Sequence, residues 1–320
     1  MMGLKDLITY NNLIENIDTA GIEDGIHKSL TQFNNDLNIQ DINFDKLKES
    51  MFEKQQNILE NLSGLHNDLN KFKLEMKQYI NTFEQPYHVM SEEIYKTSQL
   101  NVHIRHSIAK DNNLLHNDDI KGKFFGCIKK YVSYTESCLQ IAPVLGDMTD
   151  ELVALDPLYL ADNNIDMFNE VKINKLWNPI YQKRLRYYLI DDEEEDPLHQ
   201  LPKDQLGLIV AVDWFNFKPM RIIEKYLASM MSVLRPGGVA VFTFNNCSYP
   251  KAVDNVDKMQ YCYTNGNTLR ELCKSIGYTI LSSYNGEQDI TLSTSWLEIQ
   301  KPGSRTSIRG GQNLGAIKNL

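Results

Sequence analysis

Cysteine is scarce and unpatterned. The chain of 320 residues has five (Cys127, Cys138, Cys247, Cys262 and Cys273), an odd number with no Cys-x-x-Cys spacing. A disulfide framework is therefore excluded as the source of stability, and a reducing compartment fits. Long apolar runs are also missing: no stretch approaches the ~18–20 apolar residues of a membrane-spanning helix. The start, Met1-Met-Gly-Leu-Lys-Asp6, lacks the basic-then-apolar order of a secretory leader. Cations do not dominate either. Lys and Arg number 33 against 42 Asp and Glu, a net charge of −9, which disfavours bulk binding to nucleic acid or anionic membranes. The chain has no P-loop, no HExxH and no GxSxG, so phosphoryl transfer, zinc proteolysis and serine hydrolysis have no support. What is present, 42% apolar and 23% charged residues, is the composition of an ordinary soluble protein, here expected in the cytoplasm, with length for two domains.

Three regions differ in character. Up to about residue 86 the chain reads as helix, with an N-terminal segment over 1–43 and a regular apolar seam over 44–86. Ile58, Leu62, Leu65, Leu69, Phe72, Met76, Tyr79 and Phe83 follow one another in alternating steps of four and three, the heptad of a coiled coil. Backward extension through Gln55 to Met51 introduces a stutter. At ~1.5 Å per residue, Phe44 to Phe83 spans about 60 Å. Such a seam predicts either an intramolecular hairpin against the earlier apolar helix (Leu4, Leu7, Ile8, Leu13, Ile14, Ile17) or a parallel homo-oligomer through 44–83. A helical connector over 87–119 follows, then an α/β domain over 120–302. The tail 303–320 holds four glycines, no acid and a charge of +3, the composition of an extended linker with affinity for neighbouring subunits of an assembly.

Within 120–302, apolar runs and turn residues alternate as strands and helices. Cys138-Leu-Gln-Ile-Ala-Pro-Val-Leu-Gly146 reads as a buried strand running into a turn. Leu152-Val-Ala-Leu-Asp156 reads as a second strand, leaving only about one helical turn, Asp147–Glu151, as the crossover. Arg184–Asp191 and Leu208–Asp213 read as the third and fourth strands, with a helix at Met220–Val233. Leu234-Arg-Pro-Gly-Gly238 turns into a fifth strand, Val239–Phe244. A helix at Thr268–Ser275 stops at Gly277, and two strands close the domain, Tyr278–Ser283 and Ser295–Gln300.

This order, with Leu-Arg-Pro-Gly-Gly before the fifth strand and the closing strand pair, resembles the class I S-adenosylmethionine-dependent methyltransferases. The resemblance implies a seven-stranded, mostly parallel, Rossmann-like sheet with helices on both faces, and S-adenosylmethionine as cofactor. It implies that Gln140, Ala142 and Gly146 form the turn against the cofactor's methionine moiety. Ala142 and Val144 stand at the places of two glycines, and Gln140 replaces an acid. Asp156 takes the place of the ribose-binding carboxylate and Asp191 that of the residue beside the adenine. Asp213, Asn216 and Asn245, after the fourth and fifth strands, take acceptor-facing places.

Each candidate has a plainer structural explanation. Asp156 precedes Pro157 and suits a turn, Trp214 and Phe215 suit a core, and Asn245, Asn246 and Tyr249 suit a loop. His103 and His106, three apart, lack the further ligands of a metal site, and no metal is expected. The six acids Asp191–Asp196 read as a solvated loop or a surface for a basic partner. Two functions follow. One is a methyltransferase oligomerised by its coiled coil. The other is a structural or assembly protein, for example a component of a phage particle, whose methyltransferase-like head is inactive.

Overall fold

The computed structural model describes residues 21, 24, 25, 27, 28, 31, 44–100, 118–133, 135–143, 147–166, 168, 169, 179–284 and 294–304. Two compact units divide at Gln85 and Pro86. A single helix, α1 (Phe44–Leu100, 57 residues), runs through that boundary with Pro86 inside it. The connector drawn from residue 87 is thus, as far as Leu100, a continuation of the helix that carries the seam. Residues 101–117, with His103 and His106, and the tail from 305 lie outside the described residues.

The second unit is built on seven strands. In chain order they are α2 (Asp118–Lys129), β1 (Cys138–Ile141), α3 (Asp147–Leu152), β2 (Leu158–Asp162), α4 (Pro179–Arg184), β3 (Leu185–Leu189) and β4 (Leu206–Ala211). Then come α5 (Met220–Val233), β5 (Leu234–Asn245), α6 (Pro250–Asp257), α7 (Gly266–Ile276), β6 (Thr279–Tyr284) and β7 (Thr294–Gln300). The strands lie in the order β3-β2-β1-β4-β5-β7-β6. The first five are parallel, and β7 pairs antiparallel with both β5 and β6. This is the seven-stranded methyltransferase-type sheet that the order of elements implied.

Helices cover both faces of the middle strands. On one side Phe124 and Ile128 of α2 and Met148 and Leu152 of α3 join Leu158, Leu208 and Val241 in one apolar cluster. On the other, α5 buries Ile222, Tyr226 and Met230. β4 is buried along its whole length, so its run Leu-Gly-Leu-Ile-Val-Ala is continuous rather than alternating, as doubly covered parallel strands are. Edge strand β6 is mostly exposed and correspondingly polar.

The segment Leu234–Gly238, expected as a turn, is instead the irregular start of β5, with a register shift against β4, and it shows why those glycines stand there. Gly237 has φ +73, and a Cβ on Gly238 would lie 2.7 Å from the Leu206 carbonyl oxygen. Beside it the buried Arg235 donates to both Glu136 carboxylate oxygens, at 3.0 and 2.5 Å. A Cβ on Gly207 would come within 2.0 Å of the same carboxylate. One ion pair and two glycines therefore close the amino edge of the sheet.

Candidate functional site at the carboxyl edge of the sheet

Chain order reverses between β1 and β4, and crevices for ligands open at the carboxyl ends of strands beside such a switch point. At the end of β1, Gln140 is buried and accepts a hydrogen bond from the Thr149 hydroxyl of α3 at 2.8 Å, so its side chain ties β1 to α3. Ala142 has φ +56, the left-handed region that glycine favours and a Cβ disfavours. Gly146 and Val144 lie outside the described residues.

The second strand requires a correction. Leu152 ends helix α3, and β2 begins only at Leu158. Asp156 therefore precedes β2. Its N–H donates to the Glu136 carbonyl at 3.1 Å, and it lines a small cleft of about 100 Å³ with Glu136, Ser137 and Gln205 at the opposite edge of the sheet. The carboxylate that closes β2 is Asp162, fully buried, which accepts from the Asn164 N–H at 3.0 Å. Leu152-Val-Ala-Leu155 is not extended: it holds the end of a short helix and the bend after it. The run Leu158-Tyr-Leu-Ala-Asp162 was the better signal.

The acid run after β3 is not simply solvated. Asp191 is exposed and accepts from the Glu193 N–H at 2.9 Å. Asp192 is 3% exposed and pairs with Lys218, which is 0% exposed. Gln99 and Asn163 each donate to it at 2.8 Å, and the Tyr226 hydroxyl donates as well. Burial alone would raise the Asp192 pKa, but the Lys218 charge and the hydrogen bonds from Lys218, Tyr226 and Asn163 outweigh it and hold the carboxyl below its ordinary value. The Lys218 ammonium also sits 3.9 Å from the centre of the Trp214 ring. Further along the run, Glu193 pairs with Arg221 and Asp196 with Lys203.

At the end of β4, Asp213 has φ +53. Its N–H donates to the Thr243 hydroxyl at 2.7 Å, and one carboxylate oxygen accepts from the Asn216 amide at 3.0 Å. Because an ionised carboxylate only accepts, the Asn216 NH2 must face it and the Asn216 carbonyl oxygen points elsewhere. That oxygen and the second Asp213 oxygen are buried without a partner. Burial pushes the Asp213 pKa up to about 7, against the opposing hydrogen bonds from Thr243 and Asn216. Trp214 and Phe215 are core residues, each edge-on to Tyr226.

Asn245 does not face a ligand space. Its amide donates to the carbonyls of Ala252 and Cys262 at 3.0 and 3.1 Å, and its carbonyl accepts from Asn255 at 3.4 Å. All of its polar atoms brace the loop after β5, so it leaves the acceptor-facing set on structural grounds.

The last turns of α1 complete the edge, a role that its sequence did not announce. Ser91 accepts from the Tyr263 N–H at 2.7 Å, Glu92 pairs with Arg221, and Gln99 reaches Asp192. One helix thus contacts the segments that follow β3, β4 and β5. Between it and the sheet lies a cavity of about 670 Å³ walled by Tyr95, Gln99, Asn163, Ile190, Asp191 and Glu193, within the usual range for small-molecule sites. Among the described residues no group of three or more His, Cys, Asp or Glu is placed to hold a metal, and no helix is long and apolar enough to cross a membrane.

No protein-family model matches the chain, and no curated protein matches it in sequence. Solved structures are similar to it over a little more than half its length. A putative S-adenosylmethionine-dependent methyltransferase from Listeria monocytogenes matches at 12% identity over 57% of this chain and 99% of its own, with a TM-score of 0.44. The N-methyltransferase NodS from Bradyrhizobium japonicum WM9 matches at 14% identity over 55% and 89%, TM-score 0.42. The [4+2]-cyclase SpnF matches at 10% identity over 57% and 81%, TM-score 0.43. What each of these proteins does is its own property; the likeness concerns fold.

Proposed function

We propose that this chain binds S-adenosylmethionine at the carboxyl edge of its sheet and acts as a methyltransferase. The observation that carries the reading is the cavity of about 670 Å³ at the ends of β2 and β3, the side on which the resemblance to class I methyltransferases would set the cofactor's adenosine. Its walls fit a nucleoside: Ile190 and Leu189 offer apolar surface, while Asn163 and Asp191 offer hydrogen-bonding groups. Asn163, with Asp162 buried behind it, takes the ribose place that Asp156 vacates. Asp191 takes the adenine side, and Ala142 the turn toward the methionine moiety. When bound, the cofactor supplies an electrophilic methyl group. Asp213 and Asn216 define the acceptor side, where Asp213, poised near neutrality, accepts or holds a proton of the nucleophile. Gln99, Asn163 and Lys218 hold Asp192 and keep the shared edge of both sides rigid.

A second reading, an assembly component with an inactive head, rests on Ala142 and Gln140. The first places a Cβ where the turn favours glycine, and the second is committed to Thr149. In that reading the long helix and the basic tail bind neighbouring subunits, for instance in a phage particle.

Isothermal titration with S-adenosylmethionine and S-adenosylhomocysteine separates the two. Micromolar affinity that Asn163→Ala and Asp191→Ala each weaken at least tenfold, and that Asp156→Ala leaves unchanged, supports the enzyme. Absence of heat at millimolar cofactor overturns it in favour of the assembly component.

A further inference from the structure

The two groups read above as the acceptor side are sealed. Asn216 is 0% exposed and Asp213 6%. The unpartnered oxygen of each is buried, and neither residue lines the large cavity. A nucleophile reaches them only after a covering element moves. The end of α1 lies across the segments that enclose them. The Asn216 carbonyl oxygen accepts from the Cys262 N–H at 2.7 Å. The Cys262 thiol donates to the Ser91 carbonyl oxygen at 3.4 Å, and the Tyr263 N–H to the Ser91 hydroxyl at 2.7 Å. Two residues past Asn216, the Lys218 ammonium sits 5.1 Å from the centre of the Tyr95 ring.

Polar groups do most of the fastening. The buried face of this end of α1 is Ser91, Ile94, Tyr95 and Ser98, one helical stripe in which two members are serines and only Ile94 is aliphatic. Tyr95 and Gln99 donate to Asp192. On the outside Glu92 accepts from Arg221 twice, at 2.8 and 2.9 Å, and both side chains are more than a third exposed. Few buried apolar contacts and many polar ones are the marks of a segment that opens on its own. At its root stands Pro86, inside the helix and at the boundary between the two compact units. Having no N–H, Pro86 cannot donate to the Thr82 carbonyl, so the hydrogen-bond ladder of α1 is interrupted where the segment begins.

We propose that residues 86–99 form a strap that lifts from the carboxyl edge to admit the methyl acceptor, with the Glu92–Arg221 pair as its latch. Lifting uncovers the segments around Asp213 and Asn216 while β1 and β4, paired on both sides within the sheet, stay closed. Salt weakens a half-exposed latch of this kind. The role of the strap rests on the reading of Asp213 and Asn216 as the acceptor side, but its motion is measured without cofactor or acceptor.

The chain carries its own reporters. Cys262 is buried against Ser91, and Cys138 is buried in β1 between β2 and β4. Iodoacetamide applied to the native full-length chain, with peptides read by mass spectrometry, should label Cys262 at least ~10-fold faster than Cys138, which waits for global unfolding. Glu92→Gln should speed Cys262 about three- to fivefold and leave Cys138 unchanged. Sodium chloride at about 0.5 M should speed Cys262 in the wild type and have little effect on the variant. Asn216→Cys adds a thiol on the acceptor side, which should label in step with Cys262 and respond equally to Glu92→Gln. Equal rates at Cys262 and Cys138, or a Cys262 rate indifferent to Glu92→Gln, would overturn the strap. An added thiol at position 216 that follows Cys138 would overturn its role in admitting the acceptor. Should Asn216→Cys fail to fold, the Cys262 rates decide alone. Failure of S-adenosylmethionine to bind overturns the methyltransferase reading instead, and the labelling rates still decide whether the strap lifts.

Discussion

The two edges of the sheet meet the same problem, an ion pair removed from water, and surround it differently. At the amino edge Arg235 and Glu136 pair at 2.5 Å, and Gly207 leaves room for the Glu136 carboxylate. Strain is present there too: Asp204, two residues before β4, has φ +55. At the carboxyl edge Asp192 and Lys218 are equally buried, and the same edge also holds left-handed Ala142 and Asp213, two unpartnered buried oxygens on Asp213 and Asn216, and a cavity. Unsatisfied polar groups and strained residues of this kind persist where function requires them. Both edges hold a left-handed non-glycine residue, and the carboxyl edge adds the unpartnered oxygens of Asp213 and Asn216 and the larger of the two cavities.

The comparison is tested most severely by removing one cation from each edge. Lys218→Met leaves Asp192 buried and unpaired, and Arg235→Met leaves Glu136 so. Each is expected to cost about 3–5 kcal/mol, read from urea unfolding midpoints. A cost below ~1 kcal/mol for Lys218→Met alone would show that the carboxyl-edge pair is not structural and that Asp192 relaxes into the cavity.

Asp213 gives a smaller effect with a pH signature. Its folded pKa of about 7 lies above the ordinary 3.8, so the folded chain binds the proton more tightly than the unfolded chain does. The resulting stability is complete below pH ~4 and is lost as pH rises through ~7, amounting to about 2–4 kcal/mol between those limits. Thermal melting at pH 5 and at pH 8 should show wild-type stability falling over that interval. Asp213→Asn, which stays neutral, should flatten this part of the profile. An unchanged profile in the variant would mean that the carboxyl finds water and titrates normally.

The smallest change should be a gain. Ala142→Gly relieves a left-handed alanine, worth about 1–2 kcal/mol, and loses part of this to the freer unfolded chain. A net stabilisation of about 0.5–1 kcal/mol is expected by chemical denaturation. A destabilised variant would mean that the Ala142 methyl packs more usefully than its backbone is strained.

Much of this architecture could be read along the chain because its signals are local. The helix Met220–Val233 was bounded correctly by its apolar period and by Pro219 before it. Leu234-Arg-Pro-Gly-Gly238 marked the approach to β5, although the strand already opens at Leu234, and Gly277 marked the end of α7, whose start, capped by Asn265 accepting from the N–H groups of Asn267 and Thr268, lies two residues before the expected Thr268. The second strand was misplaced because a six-residue helix and the bend after it have too few turns for a period to appear. The candidate site was less legible. Asp162 lay six residues beyond its expected place, and nothing near Asn245 in sequence shows that Ala252, Asn255 and Cys262 would consume its polar atoms. Lys218 is an ordinary lysine before a proline until Asp192, 26 residues earlier, is brought against it.

The amino-acid sequence by itself determined the class of fold, the identity of its turns, the heptad-bearing helix and the absence of a disulfide framework. All of these follow from periodicity, composition and backbone preference over a few residues. Only the tertiary structure decided which carboxylates are buried and paired, and that the end of α1 walls the cavity. Burial and pairing depend on groups far apart in the chain, and the free energy of a charge or a polar atom is set by those neighbours rather than by its own place in the sequence.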